Sequence, residues 1–254
     1  MTQFWLIRHG QSEMNAGSHA ESPASSPLTA LGRQQIQAMV EHIPQRPDLI
    51  VSSEYVRAVE SADMLRQRFP DVPYEVWPIH EFTFLAEDKY TRAGMKGLGR
   101  EYFKYWWRSR PDQPDGPGAE TFNDFIARVD TMLDRMRDSP HNFVIVCGHG
   151  WFNRALVWQM MNRVRLNGYR RLGWSKKVRL DHSPPGSIMA KYSSARFLTL
   201  RNHMLHFLTF CGGVAVPNGS IMKFFSTVDN RLIFEGIFAD HLPDEIRGSG
   251  IFDK

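Results

Sequence analysis

The feature that most constrains this chain is a short apolar run near its N-terminus that ends in charged and small residues. Residues 4–7 are four consecutive large apolar residues, and Arg8, His9 and Gly10 follow them directly. Such a run is typical of a strand within a sheet that is covered on both faces. Because open α/β proteins bind their ligands at the carboxyl ends of such strands, the sequence predicts a functional site at this edge.

A second apolar run with a similar exit lies much further along the chain. Residues 143–147 predict a central strand, which leads into Gly148, His149 and Gly150 and then into a predicted helix through Met161. His9 and His149 are therefore both predicted to lie just beyond the carboxyl end of a buried strand.

A third strand, over residues 49–53, is followed by a predicted helix over residues 54–69 that carries Arg57 in its first turn. The helix dipole favours an acidic residue at that place, so an arginine there needs an anionic partner. The sequence leaves two possibilities open: an anionic ligand, or a salt bridge with Glu54 or Glu60.

Length and composition indicate a globular protein. The 254 residues predict one domain over 1–254 with insertions, and the hydrophobic and charged contents of 42% and 23% are ordinary for such a protein. The net charge of +4 favours anionic substrates and acidic partners without indicating nucleic acid. Cys147 and Cys211 are too few for a disulfide framework, and we find neither a signal-peptide pattern nor an apolar run of membrane-spanning length. We therefore expect a cytoplasmic location.

Several motifs in the order found here resemble those of the histidine phosphatase superfamily, whose fold is that of phosphoglycerate mutase. Every fixed position of the family's signature motif is matched in this sequence, by Arg8, His9, Gly10, Ser12 and Asn15. Further matches are the Pro27-Leu28-Thr29 start of the first helix, the Ser52-Ser53-x-x-x-Arg57 motif, Gly148-His149-Gly150 and His241-Leu242. The resemblance implies a three-layer α/β/α sandwich with a mixed, largely parallel sheet.

The resemblance also implies a role for each of these residues. His9 would attack phosphorus as a neutral imidazole to form a phosphohistidine, with its other nitrogen bonded to a backbone carbonyl near Gly10. Arg8, Arg57 and a protonated His149 would bind the phosphoryl oxygens, and Asn15 would add an amide contact. No metal or cofactor is then required.

Glu81 is predicted to be the general acid that protonates the leaving oxygen and then activates water. Glu87 and Asp88 compete with it, because the sequence around Glu81 departs from the family pattern, with Ile79 in place of a leucine. Residues 82–119 form a long glycine- and proline-containing connection, which we predict to be a lid over the active site.

These observations predict a metal-independent phosphomonoester hydrolase that acts on a small phosphorylated substrate. A phosphoglycerate-type mutase is the enzymatic alternative, and a non-catalytic scaffold that binds phosphorylated ligands is the alternative of another class. The sequence leaves the natural substrate and the oligomeric state open.

Residues 162–211 exceed the usual length of the family's link before the closing strands, so we predict an insertion there. Within it, residues 163–179 contain no acid, and their cations are Arg163, Arg165, Arg170, Arg171, Lys176, Lys177 and Arg179. This segment is either an ordinary basic surface or an accessory surface for an acidic partner or an acidic membrane. Residues 197–208 predict an amphipathic helix, and residues 220–225 and 232–238 predict an antiparallel strand pair.

Overall fold

The protein is built around one six-stranded sheet. The structure, a computed structural model, describes residues 1–18, 22–92, 94–171, 195–229 and 231–248, without the side chains of 91–96 and 164–202. The strands are β1 (Gln3–Arg8), β2 (Leu49–Ser52), β3 (Tyr74–Val76), β4 (Phe143–Gly148), β5 (Ile221–Ser226) and β6 (Leu232–Phe238). Their order across the sheet is β3-β2-β4-β1-β5-β6.

The sheet is mixed and largely parallel, as predicted. Strands β3, β2, β4 and β1 run parallel, while β5 pairs antiparallel with β1 and β6 pairs antiparallel with β5 at the sheet edge. In the β1–β4 register, Arg8 lies opposite Gly148. The two strands that precede the two histidines are therefore direct neighbours and end at the same edge.

Seven helices accompany the sheet in the described part of the chain. They are α1 (Ala30–His42), α2 (Val56–Arg68), α3 (Glu87–Arg92), α4 (Gly94–Arg108), α5 (Phe122–Arg137), α6 (Gly150–Arg171) and α7 (Ala195–Gly213). Thr29, at the start of the first helix suggested by the family resemblance, is the N-cap of α1, because its Oγ1 accepts a hydrogen bond from Gly32 N at 3.0 Å. A threonine at position 121 caps α5 in the same way.

The alternation of side chains along β1 divides the core into two layers. Phe4 and Leu6 contribute to the layer that holds side chains of α5, α6 and α7, whereas Trp5 and Ile7 contribute to the layer of α1 and α2. Each of these four side chains is buried and stabilises the fold by about 1.5–3 kcal/mol. The result is the predicted three-layer α/β/α sandwich.

The predicted lid, residues 82–119, contains α3 and α4 and is anchored in the core. Tyr105 and Trp106 on α4 are buried, and the Trp106 ring stacks on Trp151 with a centroid separation of 5.5 Å. Phe82 stacks on Phe125 of α5 at 4.3 Å. The lid is therefore packed onto α5 and α6 by aromatic contacts.

Helix α6 is longer than predicted, since it extends at least to Arg171 and not only to Met161. Arg163 lies within it and forms ion pairs with Asp130 and Asp134 of α5, at 2.9 and 2.8 Å. This cation of the predicted basic surface is thus used to hold two helices together.

The predicted insertion 162–211 is described only at its two ends. Residues 162–171 continue α6 and residues 195–211 belong to α7, where Met204, Phe207 and Cys211 are buried. Residues 172–194, with much of the basic segment, lie outside the described residues, so the accessory surface stays a prediction. No helix in the described part of the chain is long and apolar enough to cross a membrane.

Candidate active site

The two predicted histidines meet at the carboxyl ends of β1 and β4. His9 and His149 are 2% and 0% exposed, and their ring centroids are 5.1 Å apart. Arg8 and Arg57 are buried beside them. The sheet therefore brings together side chains that are far apart in the sequence.

The loop that carries His9 is held against α1 by a contact between two backbones. A Cβ atom at Gly10 would lie 2.2 Å from Gly32 O, and one at Gly32 would lie 2.1 Å from Gln11 O. Real Cβ atoms do not approach other atoms so closely, so only glycine fits at both positions. Gln11 N also donates to Gln35 Oε1 at 2.8 Å, which adds a side-chain contact from the same helix.

The hydrogen bonds of His9 define its tautomer. Its Nδ1 lies 2.6 Å from Gly10 O, a bond in which only the nitrogen can be the donor. Arg57 Nε donates to His9 Nε2 at 2.9 Å, so the lone pair is on Nε2. Burial lowers the pKa of His9 well below its usual value, and the charges of Arg57 and Arg8 lower it further. His9 is thus neutral with a lone pair facing the guanidinium of Arg57.

His149 is held through its other ring nitrogen. Its Nε2 lies 2.6 Å from Ser53 Oγ, which also accepts a hydrogen bond from Tyr55 N at 3.3 Å. This arrangement favours donation of the Ser53 hydroxyl proton to Nε2 and places the ring proton on Nδ1. That atom is buried and has no hydrogen-bond partner in the described part of the protein.

The environment of His149 bears on the expectation that it binds phosphate as a protonated ring. Burial lowers its pKa well below the usual value, and the nearby charge of Arg57 acts in the same direction. The ligand-free protein therefore holds His149 neutral. In the tautomer favoured by Ser53, a neutral ring still offers an N–H donor to an anion.

Arg57 does not form the salt bridges that the sequence left open. Glu54 pairs with His80 at 2.8 Å, and Glu60 pairs with Arg33 at 2.9 Å. Arg57 instead contacts His9 and donates to the backbone oxygen of residue 23. Burial lowers its pKa to about 10, so it stays charged at neutral pH.

The absence of a side chain at Gly150 leaves space for the side chains of Arg8 and Arg154. A Cβ atom there would lie 3.2 Å from Arg8 Nε and 3.0 Å from Arg154 NH1. Arg8 NH1 donates to Val216 O at 2.6 Å, and Arg154 Nε donates to Val214 O at 2.7 Å. Arg154 was not predicted from the sequence, where its place one helical turn after Gly150 was the available indication.

Residues 214–220, just before β5, support the loop that carries His9 and were also missed. Asn218 Nδ2 donates to His9 O, and Gly219 N donates to Arg8 O, each at 2.9 Å. Gly219 has a φ of +76°, which favours glycine. His241 Nε2 lies 2.9 Å from Gly219 O, so the matched His241-Leu242 motif braces this segment.

Hydrogen bonds to the Oδ1 atom of Asn15 fix the orientation of its side-chain amide. Its Oδ1 accepts hydrogen bonds from Ser12 N at 3.2 Å and from Ser12 Oγ at 3.1 Å. Asn15 also lines the cavity that contains His9. Its position fits the predicted amide contact with an anion.

Glu81 lies at the N-terminus of α6. Its Oε1 accepts hydrogen bonds from Trp151 N at 3.0 Å and Phe152 N at 3.2 Å, which leaves Oε2 as the oxygen that can carry a proton. Glu87 and Asp88 are exposed at the start of α3, and neither is among the residues that line the cavity around His9. The geometry therefore favours Glu81 over both.

The cavity has a volume of about 420 Å³. Arg8, Arg57, Arg154 and the loop that carries His9 form one side, and residues of the segment 82–119 form the other, among them Phe84, Tyr90, Leu98 and Tyr102. Burial raises the pKa of Tyr102 to about 12, so its hydroxyl is a neutral hydrogen-bond donor. The described residues contain no group of three His, Cys, Asp or Glu side chains arranged to hold a metal ion.

A sequence model of the histidine phosphatase superfamily (branch 1) matches residues 4–179. The protein belongs to that superfamily, as the motifs and fold had indicated.

Curated relatives and solved structures agree with this assignment. The glucosyl-3-phosphoglycerate phosphatase of Mycobacterium tuberculosis is 41% identical over 198 residues, covering 72% of this chain and 86% of that protein. The adenosylcobalamin/alpha-ribazole phosphatase of Salmonella typhimurium is 26% identical over 155 residues, covering 58% and 74%.

Among solved structures, the alpha-ribazole phosphatase of Shigella flexneri has a TM-score of 0.60 at 17% identity, covering 92% of this chain and 95% of that one. The phosphoserine phosphatase of Entamoeba histolytica in complex with 3-phosphoglyceric acid also has a TM-score of 0.60, at 16% identity, covering 96% and 100%. At these identities the two structures support the fold.

Proposed function

We propose that the protein hydrolyses small phosphomonoesters through a phosphohistidine at His9. The observation that carries the proposal is the pair of bonds to its ring: Nδ1 to Gly10 O, and Arg57 to Nε2. They hold a neutral imidazole with its lone pair beside a cation that can bind phosphoryl oxygens.

In the first step, His9 Nε2 forms a bond to phosphorus while the bond from phosphorus to the leaving oxygen breaks. Glu81 Oε2 gives its proton to that oxygen, and the alcohol leaves. In the second step, water attacks the phosphohistidine, Glu81 accepts a proton from the water, and the bond between nitrogen and phosphorus breaks. Inorganic phosphate leaves and His9 is restored.

Four groups surround the transferred phosphoryl group in this proposal. Arg8 and Arg57 supply permanent positive charge, His149 supplies its Nδ1 proton, and Asn15 supplies its amino group. Charge on the non-bridging oxygens is the main requirement of phosphoryl transfer, and buried donors act on it strongly because water is excluded. The complete set supports catalysis over a non-catalytic scaffold.

The substrate is proposed to be a phosphorylated small molecule that fits under the lid. The relative of 41% identity is a glucosyl-3-phosphoglycerate phosphatase. Glucosyl-3-phosphoglycerate is therefore the first compound to test, with phosphoserine and a generic aryl phosphate beside it. A cytoplasmic location remains part of the proposal, supported by two free, buried cysteines.

The test measures release of inorganic phosphate with and without a chelator. Chelator-insensitive release supports the hydrolase, transfer of phosphate between substrate positions without net release supports a mutase, and neither activity supports a scaffold.

The role of Glu81 is tested with Glu81→Gln, and Glu87→Gln is the matched control. We expect Glu81→Gln to slow alkyl phosphates by roughly 10²- to 10⁴-fold and activated aryl phosphates far less, because only the former need a proton on the leaving oxygen. Equal losses on both substrates, or a larger effect of the control, would assign the acid elsewhere.

A further inference from the structure

The outer face of α4 carries two aromatic side chains in contact with solvent. Phe103 and Trp107 are 66% and 67% exposed, one helical turn apart, and their rings stack with centroids 5.7 Å apart and an angle of 20° between planes. The opposite face of the same helix is packed into the core by Tyr105 and Trp106. The two exposed rings therefore do not reflect a poorly packed helix.

Cations surround this aromatic pair. Arg100, Lys104 and Arg108 are exposed on the same side of the helix at spacings of four residues, which places them along one edge of the pair. The acid nearest in sequence, Glu101, is bound by Lys104 at 2.6 Å and by Lys89 at 2.8 Å. Glu101 is thus held by Lys104 and by Lys89, and Arg100 and Arg108 keep the face positive.

A hollow at the C-terminal end of α4 extends the positive region. Its volume is about 320 Å³, and Arg108 and Arg110 line it. Asp115 also lines it, and that carboxylate is paired at 2.7 Å with Lys89, the same ammonium group that binds Glu101. The hollow therefore presents two guanidinium groups suited to a phosphate oxygen.

We propose that the outer face of α4, defined by Arg100, Phe103, Lys104, Trp107 and Arg108, binds the surface of an anionic phospholipid membrane. Aromatic rings with an adjacent row of Lys and Arg are the arrangement by which a helix lies in a membrane interface. The rings would enter the boundary of the acyl chains, and the cations would contact lipid phosphates. This proposal does not depend on the catalytic proposal.

Charge favours a lipid surface over two other partners that could bind this face, namely a second copy of the protein and the chain's own residues 172–194. A second copy of the protein, related by a twofold axis, would place two positive faces against each other. The chain's own residues 172–194 contain four cations and one acid by sequence, so they would repel the face as well. An anionic lipid surface matches both the charge and the aromatic side chains.

The position of α4 would connect membrane binding to the active site. Leu98, Gly99 and Tyr102, on the inner side of the helix, line the cavity around His9. A lid whose outer face rests on a membrane would hold the cavity close to the lipid surface. Phosphorylated substrates at that surface would then be reached without release into solution.

The first experiment is co-sedimentation of the protein with vesicles. We expect binding to mixed phosphatidylglycerol and phosphatidylcholine vesicles, no binding to pure phosphatidylcholine, and weaker binding at high salt. Phe103→Ser with Trp107→Ser should abolish it. Arg100→Gln with Lys104→Gln should weaken it roughly 25-fold, about fivefold per cation. The matched control is Arg66→Gln with Arg231→Gln, which removes the same charge elsewhere and should have no effect.

Circular dichroism checks that each variant is folded. Hydrolysis of a soluble aryl phosphate should also be unchanged, since none of these residues lines the cavity around His9. A second measurement avoids the aromatic substitutions altogether. Lys104→Cys carrying an environment-sensitive fluorophore should shift to the blue on addition of anionic vesicles, whereas the same label at Arg66→Cys should not. The native Cys147 and Cys211 are buried.

Four results would overturn the proposal. One is equal binding to anionic and neutral vesicles, and another is binding that persists without the two aromatic rings. The third is self-association in the absence of lipid that Phe103→Ser with Trp107→Ser removes, because the occupant would then be a second copy. Binding of an acidic protein but not of vesicles by this face would also exclude the lipid surface.

Discussion

His9 and His149 occupy equivalent places in the sheet but are held in different ways. Each follows the end of a buried parallel strand, each is surrounded by protein, and burial lowers the pKa of both. His9 binds a backbone carbonyl through Nδ1 and presents a lone pair on Nε2, whereas His149 binds Ser53 through Nε2 and presents Nδ1. The hydrogen-bond partner, and not the strand end, therefore decides which nitrogen of each ring carries the proton and which carries the lone pair.

The largest effect is expected when the attacking ring is removed. His9→Ala should lower turnover by roughly 10⁴-fold or more, because nothing replaces the nucleophile. Rapid quenching after mixing with labelled substrate should then find no acid-labile phosphoenzyme. His141→Ala is the control for removal of a histidine outside the site. A phosphoenzyme that persists in His9→Ala would show that the two rings had been assigned incorrectly.

Removal of the donating ring should have a smaller effect of a different kind. His149→Ala should lower kcat by about 10²- to 10³-fold, the range found when one donor to a transition-state oxyanion is lost. Phosphoenzyme should still form, more slowly and to full stoichiometry, which single-turnover quenching can measure. Complete loss of phosphoenzyme in His149→Ala would mean that His149 is also needed to form the phosphohistidine, a role expected of His9 alone.

Ser53 tests how the tautomer of His149 is set. Ser53→Ala removes one buried hydrogen bond to Nε2, and we expect a decrease in kcat of about tenfold, with the substrate's KM changed less. Ser52→Ala is a matched control one position earlier, where the hydroxyl donates to Ser53 O at 2.8 Å and does not contact His149. Equal effects of the two substitutions would indicate a loss of packing and not of ring orientation.

The smallest expected effect is on the pH dependence of the free energy of unfolding. Because both rings have pKa values below those of exposed histidine, the unfolded chain binds more protons than the folded chain as the pH falls below about 6.5. The free energy of unfolding should therefore be fully maintained above that pH. Below it, each ring should reduce this energy by about 1.4 kcal/mol per pH unit until its folded-state pKa is reached.

Urea unfolding of the protein and of His149→Asn between about pH 5 and pH 7 measures this dependence. In His149→Asn the free energy of unfolding should depend less steeply on pH. The decrease should be about half of the slope that His9 and His149 contribute together. An unchanged slope would mean that His149 can be protonated within the folded protein.

The sequence predicted the strand ends well because they depend on local pattern. Apolar runs that stop at Arg8 or Gly148 define buried strands, and the matched motifs placed His9, Arg57 and His149 at one edge. The parallel pairing of β1 with β4 then brings the two rings together. The capping residue of α1 was predictable for the same reason, since its partner lies three residues away.

The contacts that the sequence did not reveal join residues far apart along the chain. Val216 accepts from Arg8, and Asn218 donates to His9, across more than two hundred residues. The turn-forming residues Pro217, Asn218 and Gly219 indicate a bend but not what it touches. The end of α6 was misplaced for a similar reason, because Arg163 finds its acids on α5 and not on its own helix.

The close approach of Gly10 and Gly32 has a consequence for how mutations act on this protein. Neither glycine has a side chain that could take part in the reaction, yet even a methyl group at either position would separate the loop that carries His9 from α1. Substitution to alanine there is therefore expected to be tolerated as poorly as loss of a catalytic group. The ordering of this loop is completed when the chain folds, so it does not have to be repeated in each catalytic cycle.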